Sequence, residues 1–156
     1  MSGHVRQAKL QDAVYLSEHM REEDIKEIKI SHNAEPLESL LSSFQLKNSK
    51  VFAIVGSNKK CVGMFGVSDC PFEKNFGVAW LLASADLNSD SRQFLKESRS
   101  WVNLLNEKYD YIYNWVHPDN WVTLKWLQFC GFKPKSKHQY GVNKEEFLLV
   151  MREKNV

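Results

Sequence analysis

The feature that most constrains the fold is the segment FGVAWLLAS, residues 76–84, in which nearly every side chain is apolar. A strand that is apolar on both sides of its pleat must be covered on both faces of its sheet. The segment is far shorter than the roughly 18 apolar residues that a membrane-spanning helix needs. It therefore predicts the central strand of a sheet that lies between two layers of helices.

The chain after this strand contains the patterns of two helices and three strands. A polar loop at 86–90 leads into a helix that begins at Ser91 and carries apolar side chains at helical spacing. Residues 109–116, YDYIYNWV, are typical of an aromatic strand, and residues 120–132 of a helix that ends near a glycine. The closing segments predict an antiparallel pair of strands at 136–142 and 145–154.

The chain before the central strand begins with an alternating segment, Val5 to Lys9, which predicts a short strand. Asp12 is a candidate N-cap for one helix over residues 13–29, and Pro36 stands at the start of a second, shorter helix. Residues 51–68 read as a β-hairpin, because β-branched and aromatic residues flank a polar turn.

The order of these elements predicts the fold class. It runs strand, helix, helix, three strands, helix, strand, helix and two strands, which is typical of an α/β fold with a mixed central sheet of about seven strands and helices on both faces. With 156 residues, 43% of them hydrophobic and 26% charged, we expect a single domain over residues 1–156. A ligand is expected where the central strands diverge at their carboxyl ends.

The balance of charge and the scattered cysteines and histidines exclude several functions. The net charge of +2 arises from 21 basic and 19 acidic residues, which is too even for a general nucleic-acid or membrane surface. The basic patch at 133–137 lies among aromatic residues but is too small to favour a nucleic-acid partner. No metal ligand spacing occurs, and the start of the sequence lacks a signal peptide, so we expect an intracellular protein without a metal.

A family resemblance begins at NWVTLKWLQFCGF, residues 120–132, which resembles the Asn-led helix ending in Gly-Phe of the GNAT N-acyltransferase superfamily. The longer run over residues 76–150, together with MREEDIKEI at 20–28, resembles the GNAT-like family that includes an internal virion protein of short-tailed phages. This resemblance implies a GNAT-like sheet, acetyl-CoA as acyl donor, and an amine-bearing small molecule or protein as acceptor. It also implies a location in the host-cell cytoplasm or inside a virion.

The resemblance also implies a cofactor side of the site. In the superfamily the fourth strand separates from the fifth, and the pantetheine arm of acyl-CoA pairs with the free backbone, here Leu82, Ala83 and Ser84, with an N–H near Leu82 or Ala83 polarising the thioester. The usual glycine-rich phosphate turn is missing between Ala83 and Phe94, so Ser91 and Arg92 are the candidates for phosphate contacts. Asn120 is either a cofactor contact or a helix cap.

Acidic residues at the charged end of the first predicted helix are the candidates for acid–base chemistry. Glu23 and Glu27 are four residues apart, and Asp24 and Glu27 three apart, so each pair can share one helical face. They border the acceptor site in GNAT folds, where a carboxylate can hold a cationic amine or remove its proton if burial raises the pKa. The other interpretation is a solvated helix end in which Arg21 and Lys26 pair with these carboxylates.

Two departures from the family pattern support a second hypothesis. Leu127 stands where many members carry the tyrosine that protonates the leaving thiolate, and Tyr113 and Tyr140 are the candidate substitutes. Together with the missing glycines, this favours a non-catalytic virion or assembly protein that uses the GNAT fold as a scaffold and binds other virion or host proteins. An enzyme requires an open groove beside the fourth strand, whereas a scaffold requires an exposed apolar or aromatic patch.

Overall fold

A computed structural model of the chain describes residues 4–88 and 91–154, apart from the side chains of residue 88 and residues 91–93. The strands are β1 (His4–Gln7), β2 (Lys50–Val55), β3 (Cys61–Asp69), β4 (Phe76–Ala83), β5 (Tyr111–Val116), β6 (Lys133–Tyr140) and β7 (Glu145–Glu153). The helices are α1 (Leu10–His19), α2 (Glu22–His32), α3 (Pro36–Ser43), α4 (Ser91–Asn106) and α5 (Trp121–Phe129), with a short 3-10 turn at Ala85–Asn88.

The seven strands form one sheet in the order β1-β2-β3-β4-β5-β7-β6. β4 and β5 are parallel and are joined through α4, and the other neighbouring strands are antiparallel. β4 and β5 pair only between Phe76–Val78 and residues 111–113, and they diverge toward their carboxyl ends. This architecture confirms the predicted mixed seven-stranded α/β sheet.

The sheet separates two hydrophobic cores, because successive side chains of a strand point to opposite faces. One core joins Phe65 and Leu81 to side chains of α4 and α5, and the other joins the adjacent Met64 to side chains of α1 and α3. β4 itself contributes to both, with Leu81 in the first core and Trp80 packed against the second. The apolar run at 76–84 is therefore a central strand covered on both faces, as predicted.

The single helix predicted over 13–29 is wrong, because the structure has two helices separated at Met20 and Arg21. Both residues are extended, with φ −65° and ψ 145° at Met20 and φ −61° and ψ 146° at Arg21. Met20 forms a β-bridge with Ser84, and the Arg21 N–H donates to the Ala83 carbonyl at 2.8 Å. The helix is interrupted here because the backbone of Met20 and Arg21 pairs with the edge of β4, past the point where β5 separates from β4.

The start of α1 also differs from the prediction. The N-cap residue is Lys9 rather than Asp12, and Asp12 lies in the first turn, where its carboxylate accepts the Lys9 N–H at 2.7 Å. Asp12 also forms an ion pair with Arg6 of β1 at 2.7 Å. The aspartate thus stabilises the helix start from inside the first turn instead of from the cap position.

The first core makes a prediction for stability. Phe65 is 1% exposed and packs against Phe52, Phe94 and Trp101, whereas Phe72 is 91% exposed in the loop before β4. We expect Phe65→Ala to lower the free energy of unfolding by about 3–5 kcal/mol, and the control Phe72→Ala to change it by less than about 0.5 kcal/mol. Urea denaturation followed by tryptophan fluorescence measures both, and equal effects would contradict the assigned core.

Candidate functional site

A cavity of about 360 Å³ lies where β4 and β5 diverge. Consecutive residues of each strand line it, Trp80 to Leu82 on β4 and Asn114 and Trp115 on β5, so the cavity borders the gap between the two strands. Helices α2 and α3 form a further wall, and Tyr140 at the end of β6 closes another side. Residues that line it include Glu27, Ser31, His32, Glu38, Ser42, Ser43, Trp80, Leu81, Leu82, Asn114, Trp115, Thr123 and Tyr140.

The backbone of β4 presents alternate residues to its two neighbours. The Ser84 N–H donates to Val62 of β3 at 2.9 Å, and Leu82 pairs with Met64, so the backbone groups of Leu82 and Ser84 face β3. The intervening residues Leu81 and Ala83 face the gap toward β5. Two of the three residues predicted to hold a pantetheine arm therefore direct their backbone groups away from the cavity.

The third predicted residue, Ala83, faces the gap but is already bonded. Its N–H donates to Asp24 Oδ2 at 2.9 Å, and its carbonyl accepts the Arg21 N–H. The expectation of a polarising N–H at Leu82 or Ala83 is thus wrong, because one points toward β3 and the other donates to a carboxylate. Leu81 lies past the last β4–β5 pair, and its backbone faces the gap between the two strands.

Asp24 and Arg21 form a buried ion pair beside this strand edge. Arg21 Nη2 lies 2.8 Å from Asp24 Oδ2, and the guanidinium also donates to Thr123 Oγ1 at 3.2 Å. Burial raises the pKa of Asp24, although Arg21 and the hydrogen bonds from Ala83 and Asn120 oppose that effect. Because Asp24 is paired with the Arg21 guanidinium and its Oδ2 accepts the Ala83 N–H, this carboxylate fixes the backbone of β4 and is not a free base.

Glu27 lies one turn farther along α2, on the wall of the cavity. Its carboxylate accepts hydrogen bonds from the Asn120 side-chain amide and, at 3.3 Å, from the His117 N–H. Burial raises the pKa of Glu27 to about 7, against the opposing effect of these hydrogen bonds and with a further increase from Asp24. A carboxylate that titrates near neutrality and faces a cavity is suited to accept a proton from a bound molecule.

Asn120 connects the two carboxylates. Its Oδ1 accepts the Thr123 N–H at 3.4 Å, which is the N-cap bond of α5, and its amide donates to both Asp24 and Glu27. The structure confirms the capping interpretation of Asn120 and directs its amide to acidic side chains. It stands next to α2 because β5 ends at Val116 and a short turn carries the chain to the start of α5.

Glu23, the third predicted acidic residue, is exposed on α2. It borders a separate depression of about 140 Å³ near Lys26 and Asp119, whose side chains form an ion pair at 3.7 Å. The structure therefore brings Asp24 and Glu27 together and leaves Glu23 outside the main cavity. Glu23 and Lys26 are exposed, as the solvated interpretation requires, but Lys26 pairs with Asp119 and Arg21 pairs with the buried Asp24.

The predicted phosphate contacts lie at the start of α4. Ser91 and Arg92 occupy its first turn, but their side chains lie outside the described residues, so this role stays a prediction. Farther along α4, the Arg99 Nε donates to the Phe129 carbonyl at 2.8 Å, and its guanidinium lies 5.2 Å from the Phe129 ring centroid. Arg99 thus joins the middle of α4 to the end of α5.

The two candidate substitutes for the missing tyrosine occupy different places. Leu127 is buried in the core, as its apolar side chain requires. The Tyr113 hydroxyl lies 3.2 Å from Cys70 Sγ, and Tyr113 does not line the cavity. Tyr140 lines it and stacks on Trp115 with ring centroids 4.9 Å apart, and burial together with the charge of Glu27 raises its pKa.

The turn after Tyr140 docks on the end of α2. Gly141 has φ +79°, and a Cβ there would lie 2.4 Å from the Ser31 carbonyl oxygen, so this position requires glycine. The next residue, Val142, donates its N–H to the same carbonyl at 2.9 Å. These contacts hold Tyr140 over the cavity.

Of the aromatic lining, the sequence pointed to Tyr140 alone, as a candidate substitute for the missing tyrosine. Trp80 and Trp115 were expected only as parts of strands. The position of Trp80 next to Leu81 is a sequence signal for its side-chain direction, because neighbouring residues of a strand point to opposite faces of the sheet. No sequence signal joins Trp115 to Tyr140, because they come from different strands.

Within residues 4–88 and 91–154, no group of three histidine, cysteine or acidic side chains could hold a metal ion. Over the same described part of the chain, no helix is long and apolar enough to cross a membrane.

Comparison with known proteins identifies the fold. No protein-family profile matches the chain, and no curated protein sequence is similar to it. Among solved structures, the aminoglycoside acetyltransferase AAC(6')-Ib in complex with ribostamycin and coenzyme A matches with a TM-score of 0.69 and 16% identity, over 98% of this chain and 94% of that chain.

Two further acetyltransferases match as well. The ribosomal-protein-S5-alanine acetyltransferase from Vibrio fischeri has a TM-score of 0.69 and 16% identity, over 99% of this chain and 94% of its own. A GCN5-related N-acetyltransferase from Kribbella flavida has a TM-score of 0.68 and 16% identity, over 97% of this chain and 98% of its own. The chain thus has the fold of the GNAT N-acetyltransferases, and at these identities the likeness establishes the fold alone.

The raised pKa of Glu27 makes stability depend on pH. Its pKa is about 7 in the folded protein against 4.5 for an ordinary glutamate, so the folded state keeps this proton over a range in which the unfolded state loses it. The difference in the free energy of unfolding between the wild type and Glu27→Gln therefore favours the wild type most below pH 4.5. This difference falls as the pH rises to about 7. Urea denaturation across this range measures the difference.

The control for this measurement is Glu22→Gln, which removes one exposed carboxylate from the same helix. A difference between wild type and Glu27→Gln that stays constant or rises with pH would contradict the burial of Glu27.

Proposed function

We propose that this protein is an N-acyltransferase that transfers an acyl group from acyl-CoA, with acetyl-CoA as the first candidate, to an amine. The observation that carries the proposal is the Glu27 carboxylate, with a pKa of about 7, on the wall of a cavity where β4 and β5 diverge. The shared fold supports it, because the matching structures are acetyltransferases and one of them holds coenzyme A and ribostamycin.

The residues present fit an extended acyl-CoA arm. The edge of β4 at Leu81 is open to the gap, and an amide-bearing chain can pair with such a strand edge. Leu81 replaces the predicted residues Leu82, Ala83 and Ser84 as the main backbone contact in this proposal. Ser91 and Arg92 remain the proposed phosphate contacts, since the chain has no glycine between Ala83 and Phe94.

Acyl-CoA supplies a thioester carbonyl carbon, to which the amine nitrogen bonds as the carbon–sulfur bond breaks. Glu27 accepts the proton that the amine must lose, since its pKa lets it be partly ionised at neutral pH. The Leu81 N–H can donate to the carbonyl oxygen as negative charge develops there. The Tyr140 hydroxyl, or water, then supplies the proton that the departing sulfur takes up.

The finer assignments belong to the same proposal. The likeness of residues 76–150 to a phage GNAT-like family supports a phage-type protein that acts in the host-cell cytoplasm or is carried in a virion. The acceptor amine belongs to a small molecule or a protein. Asp24 keeps a structural role beside Glu27, and Glu23 has none in this mechanism.

A non-catalytic scaffold in a virion or an assembly complex is the second candidate function. It is favoured by Leu127, by the absence of glycine between Ala83 and Phe94, and by two exposed aromatic side chains on α5, Trp121 and Phe129. In that case α5 would present Trp121 and Phe129 to other virion or host proteins. It predicts that acyl-CoA does not bind.

Titration calorimetry with acetyl-CoA separates the two functions. The enzyme proposal predicts saturable binding with a Kd on the order of micromolar, and a weaker response to dephospho-CoA if the 3′-phosphate is recognised. The scaffold predicts no heat up to about millimolar ligand and an unchanged melting temperature. The second result would remove the acyltransferase proposal.

Glu27→Gln tests the assigned base. The amide cannot accept the amine proton, so we expect kcat to fall by about 10²-fold or more while the Kd for acetyl-CoA stays within about twofold. The rate of the wild type should rise with pH through about 7 as Glu27 ionises. Steady-state kinetics with a free-thiol readout measure these values, with Glu22→Gln as the matched exposed control. A variant with unchanged kcat would exclude Glu27 as the base.

A further inference from the structure

A second cavity, of about 480 Å³, lies at the opposite end of the sheet from the gap between β4 and β5. Its walls come from the start of β2, the end of β3 and the end of α4, whereas the gap lies toward the carboxyl end of β4. We infer that this cavity binds a small molecule that carries an anionic group, a carboxylate or a phosphate, on an apolar body.

The second cavity is separate from the proposed acyl-CoA site. Ser91 and Arg92, the proposed phosphate contacts, stand at the start of α4. Leu105 and Lys108, which line the second cavity, stand at the end of α4 and just after it. A helix of 16 residues is roughly 24 Å long at 1.5 Å per residue. The inference therefore does not depend on the proposed function, and the ligand of this cavity is not the acyl acceptor.

Side chains of the first hydrophobic core form the floor of the second cavity. Val67, Leu105 and Tyr109 belong to that core, are exposed by 8% or less, and line the cavity. A hydrocarbon group that packs against them leaves water for an apolar surface, which is favourable. The volume of the cavity lies within the range of small-molecule sites. The floor thus favours a ligand with an apolar body.

Hydrogen bonds and close packing hold the wall around Tyr109 in place. The Tyr109 hydroxyl donates to Asp69 Oδ1 at 2.7 Å, and the Asn106 side-chain amide donates to the Tyr109 carbonyl at 2.9 Å. The Tyr109 ring lies against Gly77, where a Cβ would come within 2.8 Å of the ring. Because this wall is already ordered, a ligand binds without the entropy cost of ordering it.

Asp69, the carboxylate on the wall, has donors from the protein on both of its oxygens. Tyr109 donates to Oδ1, and the Asn48 side-chain amide donates to Oδ2 at 2.8 Å. These hydrogen bonds and, to a smaller extent, the Lys47 ammonium group hold the pKa of Asp69 below its ordinary value. Asp69 is therefore ionised at neutral pH, and its charge does not call for a cationic ligand.

The lysines on the wall, Lys50 and Lys108, have no such partners. Lys50 is the half-buried first residue of β2, and Lys108 is exposed after the end of α4. In the part of the chain that the structure describes, neither of them forms an ion pair. Two unpaired ammonium groups beside a carboxylate that already has donors make the rim of the cavity positive. An anionic group is the complementary ligand.

Titration calorimetry of the full chain at neutral pH tests both parts of the ligand. The compounds are 2-naphthoate, 2-naphthyl phosphate, the neutral 2-naphthamide, and acetate, which lacks the apolar body. We expect the tighter of the two naphthalene anions, which identifies the anionic group, to bind about 10- to 100-fold more tightly than the amide, the effect of one charge-assisted hydrogen bond. Acetate should bind more weakly still. Equal affinities of the anions and the amide, or no binding of either anion, would overturn the inference.

Lys50→Gln and Lys108→Gln test the location of the bound anion. Each variant replaces an ammonium group with a neutral amide and keeps most of the aliphatic stem, and an unchanged melting temperature without ligand checks that it folds. We expect each variant to weaken binding of the tighter anion by about fivefold or more. The control Lys135→Gln, at an exposed position on β6, should leave the Kd within about twofold. Full affinity in both variants would overturn the assigned site.

Repeating the anion titration with about millimolar coenzyme A separates the second cavity from the acyl-CoA site. We expect the same Kd with and without coenzyme A, whether or not coenzyme A itself binds, because the two sites lie at opposite ends of α4. Displacement of the anion by coenzyme A would overturn this inference and would support the acyl-CoA site instead.

Discussion

The buried ion pair between Arg21 and Asp24 holds the two halves of the site in place. A parallel strand that leaves its neighbour exposes backbone groups, and buried groups of that kind must find partners. The Arg21 backbone and the Asp24 carboxylate provide both partners for Ala83. Removing either charge would leave the other buried and unpaired, which costs several kcal/mol. The pair therefore keeps β4 and β5 apart without leaving the edge of β4 unsatisfied.

The same arrangement gives the carboxylates of Asp24 and Glu27, three residues apart on α2, different electrostatic surroundings. Asp24 faces a guanidinium and backbone donors, whereas Glu27 receives only neutral donors from Asn120 and His117 in a buried setting. Desolvation without a nearby paired cation is what moves a carboxylate pKa toward neutrality. Asp24 thus stabilises the fold, whereas Glu27, on the same face of α2, can accept a proton.

The fold could be predicted from residues 76–84 and 120–132, because a doubly covered strand and a glycine-terminated helix both have local signals. The break at Met20 and Arg21 could not, since the helical pattern continues through it and the cause is a β-bridge to the distant Ser84. Spacing placed Glu23 and Glu27 on one helical face. Their different burial depends on tertiary packing, and no pattern in the sequence joins Glu27 to Asn120.

The contact between Gly141 and Ser31 has a consequence for the order of folding. It joins segments from opposite ends of the chain, so forming it closes a very long loop, and such contacts form late because the entropy of closure must be overcome first. During synthesis on the ribosome, the Tyr140 wall can close only after β6 has emerged. A partly made chain can thus build most of the sheet while its pocket is still open to other molecules.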